Sequence, residues 1–167
     1  DHTKMRYLVR DPVDLAETLA LKKAESLLPE YPDALIIGGD QVLNLQGEIF
    51  GKPGTREKAV EQLEKLQGKT HELITSFVLV RKERTLLHTD ISNLKMKNLK
   101  REQIEAYLDR DKPYDCAGSY KIESAGIALF QRIRSKDFTA IEGIPLMILA
   151  LQLEFLGIPI LDFSRTH

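Results

Sequence analysis

The chain has no tryptophan, a single cysteine and no apolar run long enough to cross a bilayer. The lone Cys116 cannot close an internal disulfide, so a reducing compartment, the cytoplasm, is expected. No signal-peptide pattern appears, and there is no internal repeat, linker or low-complexity stretch. An excess of one charge is lacking too. The formal net charge is −1, which removes the broad basic footprint of a nucleic-acid binder, so neither nucleic acid nor membrane is an expected partner. What is present is ordinary for a globular protein: 167 residues, 43% hydrophobic and 29% charged. That is enough to bury one core, and a single α/β domain over residues 1–167 is expected.

The most informative stretch runs from Ala34 to Pro53. Its apolar start, Ala34 to Ile37, predicts a short buried strand. Gly38 and Gly39 then remove every Cβ, so another group can come close where that strand ends. A carboxylate, Asp40, and an amide, Gln41, follow. Val42–Leu45 and Glu48–Phe50 predict a hairpin around Gln46-Gly47 that carries Lys52 back toward Asp40, with Pro53 stiffening the exit. An acid and a lysine beside open backbone amides suggest a site for a metal and a phosphate. Gly47, Gly51 and Lys52 do not form a Walker A loop: the spacer is one residue short, and Pro53 supplies neither hydroxyl nor N–H. Taken alone, Asp40 reads as a turn aspartate bonded to its own backbone, and Lys52 as a surface lysine.

Elsewhere, Asp11-Pro12 opens a helix with Val13, Ala16, Leu19/Ala20, Ala24 and Leu27 inward, ending before Pro29. Lys22 and Lys23 read as solvated charges on it. Thr55 caps a helix through Gln67 whose buried positions are Ala59, Val60, Leu63 and Leu66. Thr70–Arg81 is strand-like, with Thr85–Leu99 returning after a charged turn. His71 and His88 have no second histidine or cysteine at ligand spacing and read as ordinary strand histidines. Arg101–Asp109 predicts a short helix. Cys116 to Tyr120 predicts a small-residue turn, and Cys116, with no base beside it, a buried small residue. As a strand, Lys121-Ile122-Glu123 would put Lys121 and Glu123 on one face, and Ala125–Arg134 reads as another strand. Pro145 opens the last helix, with Leu146, Met147, Ala150, Leu153 and Leu156 inward and Gly157 ending it.

Several of these pieces occur together in order: Ile37-Gly38-Gly39-Asp40, Gly51-Lys52-Pro53, Cys116-Ala117-Gly118-Ser119-Tyr120-Lys121-Ile122-Glu123, and Glu142-Gly143-Ile144-Pro145-Leu146. In this the chain resembles the Maf-like nucleotide pyrophosphatases from about Asp11 to Gly157. The resemblance implies an elongated mixed β-sheet flanked by helices, with two lobes around a cleft. It also implies a hydrolase that splits a nucleoside triphosphate between its α- and β-phosphates, using a divalent cation, Mg or Mn.

By the same resemblance Asp40 is the general base or metal anchor. Lys52 binds phosphate, as does Lys23, because the family's Lys-Ala pair falls on Lys23-Ala24. Gln41 and Glu123 select the base, in a combination similar to the subgroup acting on 7-methyl-GTP. A carboxylate suits that base: it can accept from the adjacent N1–H and N2–H₂ donors of guanine and attract the cationic 7-methylated ring. The alternatives are a dTTP/UTP pyrophosphatase and a non-catalytic, nucleotide-binding regulator of cell division. The resemblance allows a homodimer. It further places a first strand and a Ser-x-x-Arg phosphate-binding segment ahead of Asp1, so little turnover is expected without them. Its Asp-Glu pair falls on Asp1-His2, where His2 replaces a carboxylate.

Overall fold

The computed structural model describes residues 11–161, so the expectations at Asp1 and His2 lie outside the described residues. Helix α1 (Pro12–Glu25) begins as its sequence requires, with Asp11 Oδ1 accepting the Val13 N–H at 3.0 Å. It buries Leu15, Ala16, Ala20 and Ala24 and stops at Glu25, earlier than predicted. Leu27, expected inward, is exposed because it falls in the turns after the helix.

Strand β1 (Ile36–Leu45) corrects the central expectation. Gly38 and Gly39 do not end a strand; it runs through them and through Asp40 and Gln41. The physical reason is helix α1. A Cβ at Gly38 would collide with the Ala20 carbonyl and stand 2.8 Å from the Ala24 nitrogen. The alanine stripe of α1 and the bare backbone of Gly38 together let helix and strand touch.

A turn at Gln46-Gly47 leads to β2 (Glu48–Phe50), as predicted. Helix α2 (Arg56–Leu66) is capped by Thr55 and buries the four predicted residues. Strands β3 (Thr70–Arg81) and β4 (Arg84–Met96) pair along their whole length. Helix α3 (Arg101–Asp111) follows, and β5 (Phe130–Arg134) completes a five-stranded sheet in the order β2-β1-β3-β4-β5. Every pairing among the described residues is antiparallel. The flanked sheet agrees with the expected α/β class.

Because strand side chains alternate, α1 packs on the face carrying Gly38, Val42, Ile74 and Val78. Helices α2 and α3 pack on the other face, around Leu43, Leu73 and Leu94. His71 is buried on that side, its Nε2 2.8 Å from the Tyr120 hydroxyl; burial pushes its pKa down to about 4. It is therefore neutral at pH 7, as expected of an ordinary strand histidine.

The segment after α3 departs from its predicted strands. Ala117–Ser119 and Ala125–Leu129 are 3₁₀ turns, and residues 122–124 form a turn rather than a strand. Lys121 and Glu123 accordingly share no strand face. Only the end of the expected Ala125–Arg134 strand is realised, as β5. A short helix α4 (Thr139–Glu142), missed in the sequence, precedes α5 (Leu146–Phe155). Asp137 joins them, accepting from Thr139 N at 3.0 Å and Met147 N at 2.8 Å. The inward face of α5 is also corrected: Leu149 is buried, with Ile148 and Leu153 partly so, while Leu146 and Met147 are exposed. An almost wholly apolar helix carries no pattern from which its phase could be read.

Candidate active site

Strand β2 is short, and its pairing with β1 reaches only from Leu45↔Glu48 to Leu43↔Phe50. Beyond Leu43, β1 has an open edge among the described residues, and a cavity of about 550 Å³ lies against it. Leu15 and Leu19 of α1 wall one side; Lys58, Glu61, Gln62 and Lys65 of α2 wall the other. Asp40, Gln41, Lys52 and Ala117 also line it. The hairpin thus brings Lys52 and Asp40 to one cavity, as the sequence predicted.

Asp40 is nearly buried, and its two oxygens are used differently. Oδ1 accepts the backbone N–H of Gln41 at 2.7 Å, closing an edge amide that has no strand partner among the described residues. Oδ2 is buried without a hydrogen bond among the described residues, and the Lys23 ammonium stands 3.3 Å away. Lys23 also reaches the Gly39 carbonyl, at 3.4 Å. Its position follows from packing: Ala24 seats α1 on Gly38, and the lysine one residue earlier overhangs Asp40 two residues further along β1. The Lys23 head is half exposed, so the pair is screened and free to exchange partners.

Gln41 points to the opposite face from Asp40. Its Nε2 donates to Thr75 Oγ1 at 3.0 Å, the Ala140 carbonyl at 2.9 Å and the Ile141 carbonyl at 3.1 Å. The amide ties β1 to α4, and only Oε1 remains without a hydrogen bond among the described residues. Glu123 is not brought together with it. Glu123 is exposed and absent from the cavity lining; its charge acts on the Cys116 thiol, beside the rim residue Ala117. Burial, together with the neighbouring Asp115, pushes that thiol up to about 11, which agrees with its being no nucleophile.

Sequence reading missed the α2 wall. Lys58, Glu61, Gln62 and Lys65 recur at helical spacing opposite the buried Ala59, Val60, Leu63 and Leu66. That polar face was the available signal. Gln62 braces the site: its Nε2 donates to the Gly51 carbonyl at 2.9 Å, and its Oε1 accepts the buried Ser119 hydroxyl at 2.6 Å. The bond at Gly51 fixes the backbone just before Lys52, while the Gly54 N–H donates to the Tyr114 carbonyl at 2.9 Å just after it. Lys65 is tied to Glu48 at 2.7 Å.

Among the described residues no cluster of three or more histidine, cysteine, aspartate or glutamate side chains could cage a metal. The hydrogen-bond-free Asp40 Oδ2 is a hard oxygen donor of the kind a magnesium-like ion takes singly, completing its shell with water and phosphate. A cation held in that manner fits these residues.

Comparison with known proteins agrees with the residues. The family model described as Maf-like protein matches residues 2–155. A protein of Bdellovibrio bacteriovorus named 7-methyl-GTP pyrophosphatase is 50% identical over 143 residues, covering 86% of this chain and 75% of its own. Proteins of the same name from Xanthomonas axonopodis pv. citri and Hahella chejuensis are 44% and 40% identical, over 89% of this chain and 78% and 76% of theirs. On the strength of the family match and these relatives, the chain belongs to the Maf-like protein family.

Proposed function

We propose that this chain is a nucleoside triphosphate pyrophosphatase acting on 7-methyl-GTP. The observation that carries the reading is Asp40: a nearly buried carboxylate at a strand edge open among the described residues, one oxygen held by backbone and the other 3.3 Å from the Lys23 ammonium, on a cavity that also holds Lys52, Lys58 and Lys65. Lys52 and Lys58 offer ammonium groups to a triphosphate chain, while Lys65 is tied to Glu48. Lys23 shields the Asp40 charge and can swing to a phosphate oxygen, since its head is half exposed. In the reaction a water oxygen bonds to the α-phosphorus, the bond from that phosphorus to the α–β bridging oxygen breaks, and the bridging oxygen leaves with pyrophosphate. The water proton passes to Asp40 Oδ2. If Asp40 Oδ2 serves instead as the anchor of a divalent cation, that cation would neutralise charge on the phosphates and the water proton would pass to bulk solvent.

Gln41 lines the cavity with its amide nitrogen locked by three carbonyl and hydroxyl oxygens, which leaves Oε1 as the atom it could offer a base. Glu123 can select the base only if residues 122–124 close toward the cavity. The single cysteine fits a cytoplasmic enzyme. The test is a turnover screen with 7-methyl-GTP, GTP, UTP and dTTP, reading monophosphate and pyrophosphate with and without magnesium or manganese. Release from 7-methyl-GTP in preference to the others is expected. Preference for UTP and dTTP would overturn the substrate, and saturable nucleotide binding without product would overturn the enzyme.

A further inference from the structure

At the edge of the sheet away from that cavity, Lys95 of β4 and Arg132 and Arg134 of β5 surround a hollow of about 190 Å³ with Thr70 and Asn93. We propose that this hollow is a second anion site, for an inorganic phosphate-type anion such as pyrophosphate.

Charge and register support it. Lys95 stands directly opposite Arg132, and Asn93 opposite Arg134. Like charges directly opposed across a strand pair destabilise a sheet. None of the three cations makes an ion pair or hydrogen bond among the described residues, so no described partner offsets that repulsion. The neighbouring acid Glu72, opposite Asn93, is engaged on its other side by Asn44 Nδ2 at 2.9 Å. The register of β4 against β5 shifts between Lys95 and Met96, the kind of irregularity that re-aims a side chain.

Charges on an edge strand also guard it against pairing with another sheet, but that role requires only Arg132 and Arg134. It accounts neither for Lys95 on an interior strand nor for Thr70 and Asn93 completing the ring with neutral donors. Guanidinium forks and an ammonium, with a hydroxyl and an amide, match the several oxygens of a phosphate group. The volume falls below the roughly 300 Å³ at which pockets for larger organic ligands begin, which favours a bare inorganic anion over a whole nucleotide. Strand spacing of about 4.8 Å puts β5 three strands from β1, so the hollow is distinct from the Asp40 cavity.

Sodium pyrophosphate titrated into the isotope-labelled chain, at constant ionic strength held with chloride, tests this by amide NMR shifts and calorimetry. Saturating shifts at Thr70, Asn93, Lys95, Arg132 and Arg134 are expected. Arg132→Gln with Arg134→Gln should raise the dissociation constant at this site roughly tenfold or more, and Lys52→Ala should leave it unchanged. Both arginines are exposed, and an unchanged melting temperature verifies that the double variant folds. Shifts confined to the Asp40 cavity, equal shifts with chloride alone, or an unaltered constant in the double variant would each overturn the site. None of these outcomes depends on whether the chain hydrolyses a nucleotide.

Discussion

Asp40 and Gln41 are neighbours on one strand and have opposite fates. Asp40 faces α1 and keeps Oδ2 without a hydrogen bond among the described residues, 3.3 Å from the Lys23 ammonium. Gln41 faces α4 and spends its amide nitrogen on three acceptors of the fold. The buried Asp40 Oδ2 is left without a hydrogen bond among the described residues, whereas the Gln41 amide nitrogen is fully engaged. Strand alternation puts the two kinds of environment one residue apart.

The sharpest way to break this contrast is Asp40→Asn. The amide cannot take a proton from water, so kcat should fall by about 10²–10⁴-fold with an unchanged melting temperature. Turnover within a few-fold of wild type would take Asp40 out of the mechanism. Gly38→Ala attacks the packing that places Lys23 over Asp40. Its methyl meets the α1 backbone, and unfolding free energy should drop by roughly 2–3 kcal/mol in a denaturant titration. Full stability would show that α1 can be displaced at no cost.

Gln41→Leu should cost about 1–3 kcal/mol of stability, because the Ala140 and Ile141 carbonyls lose the Gln41 donor. A loss of activity without any loss of stability would reverse the assignment and make Gln41 a reader of substrate. The smallest effect belongs to Glu123→Gln. With Glu123 outside the cavity, the ratio of kcat/KM for 7-methyl-GTP over UTP should move by less than about twofold. A fall approaching tenfold would mean that residues 122–124 close over the bound base.

Much of the fold was legible because its signals are local. Asp11-Pro12 and Thr55 start helices where expected, the turn at Gln46-Gly47 makes the hairpin, and β3 has its predicted bounds. The joint presence of Asp40 and Lys52 on one cavity was legible for the same reason, since a two-residue turn folds one toward the other. The strands expected from 121 to 129 failed because the chain there closes on one carbonyl instead of pairing with a neighbouring strand. Lys121 O accepts from Ser124 N at 3.2 Å and from Gly126 N at 3.0 Å, and a Cβ on Gly126 would strike the Lys121 backbone. No pattern of apolar residues announces that.

By itself, then, the sequence determined the helix starts, the hairpin, the alternation that separates Asp40 from Gln41, and the kinship carried by its short motifs. Tertiary structure decided what those residues meet. It turned two glycines from a strand end into a seat for α1, set Lys23 on Asp40, fastened Lys52 through Gln62 and Gly54, and left Glu123 outside the cavity. Local pattern records which way a side chain leaves its own strand or helix. Which partner it finds depends on contacts between residues far apart in the chain, such as Gln41 and Ala140, and those exist only once the elements have packed.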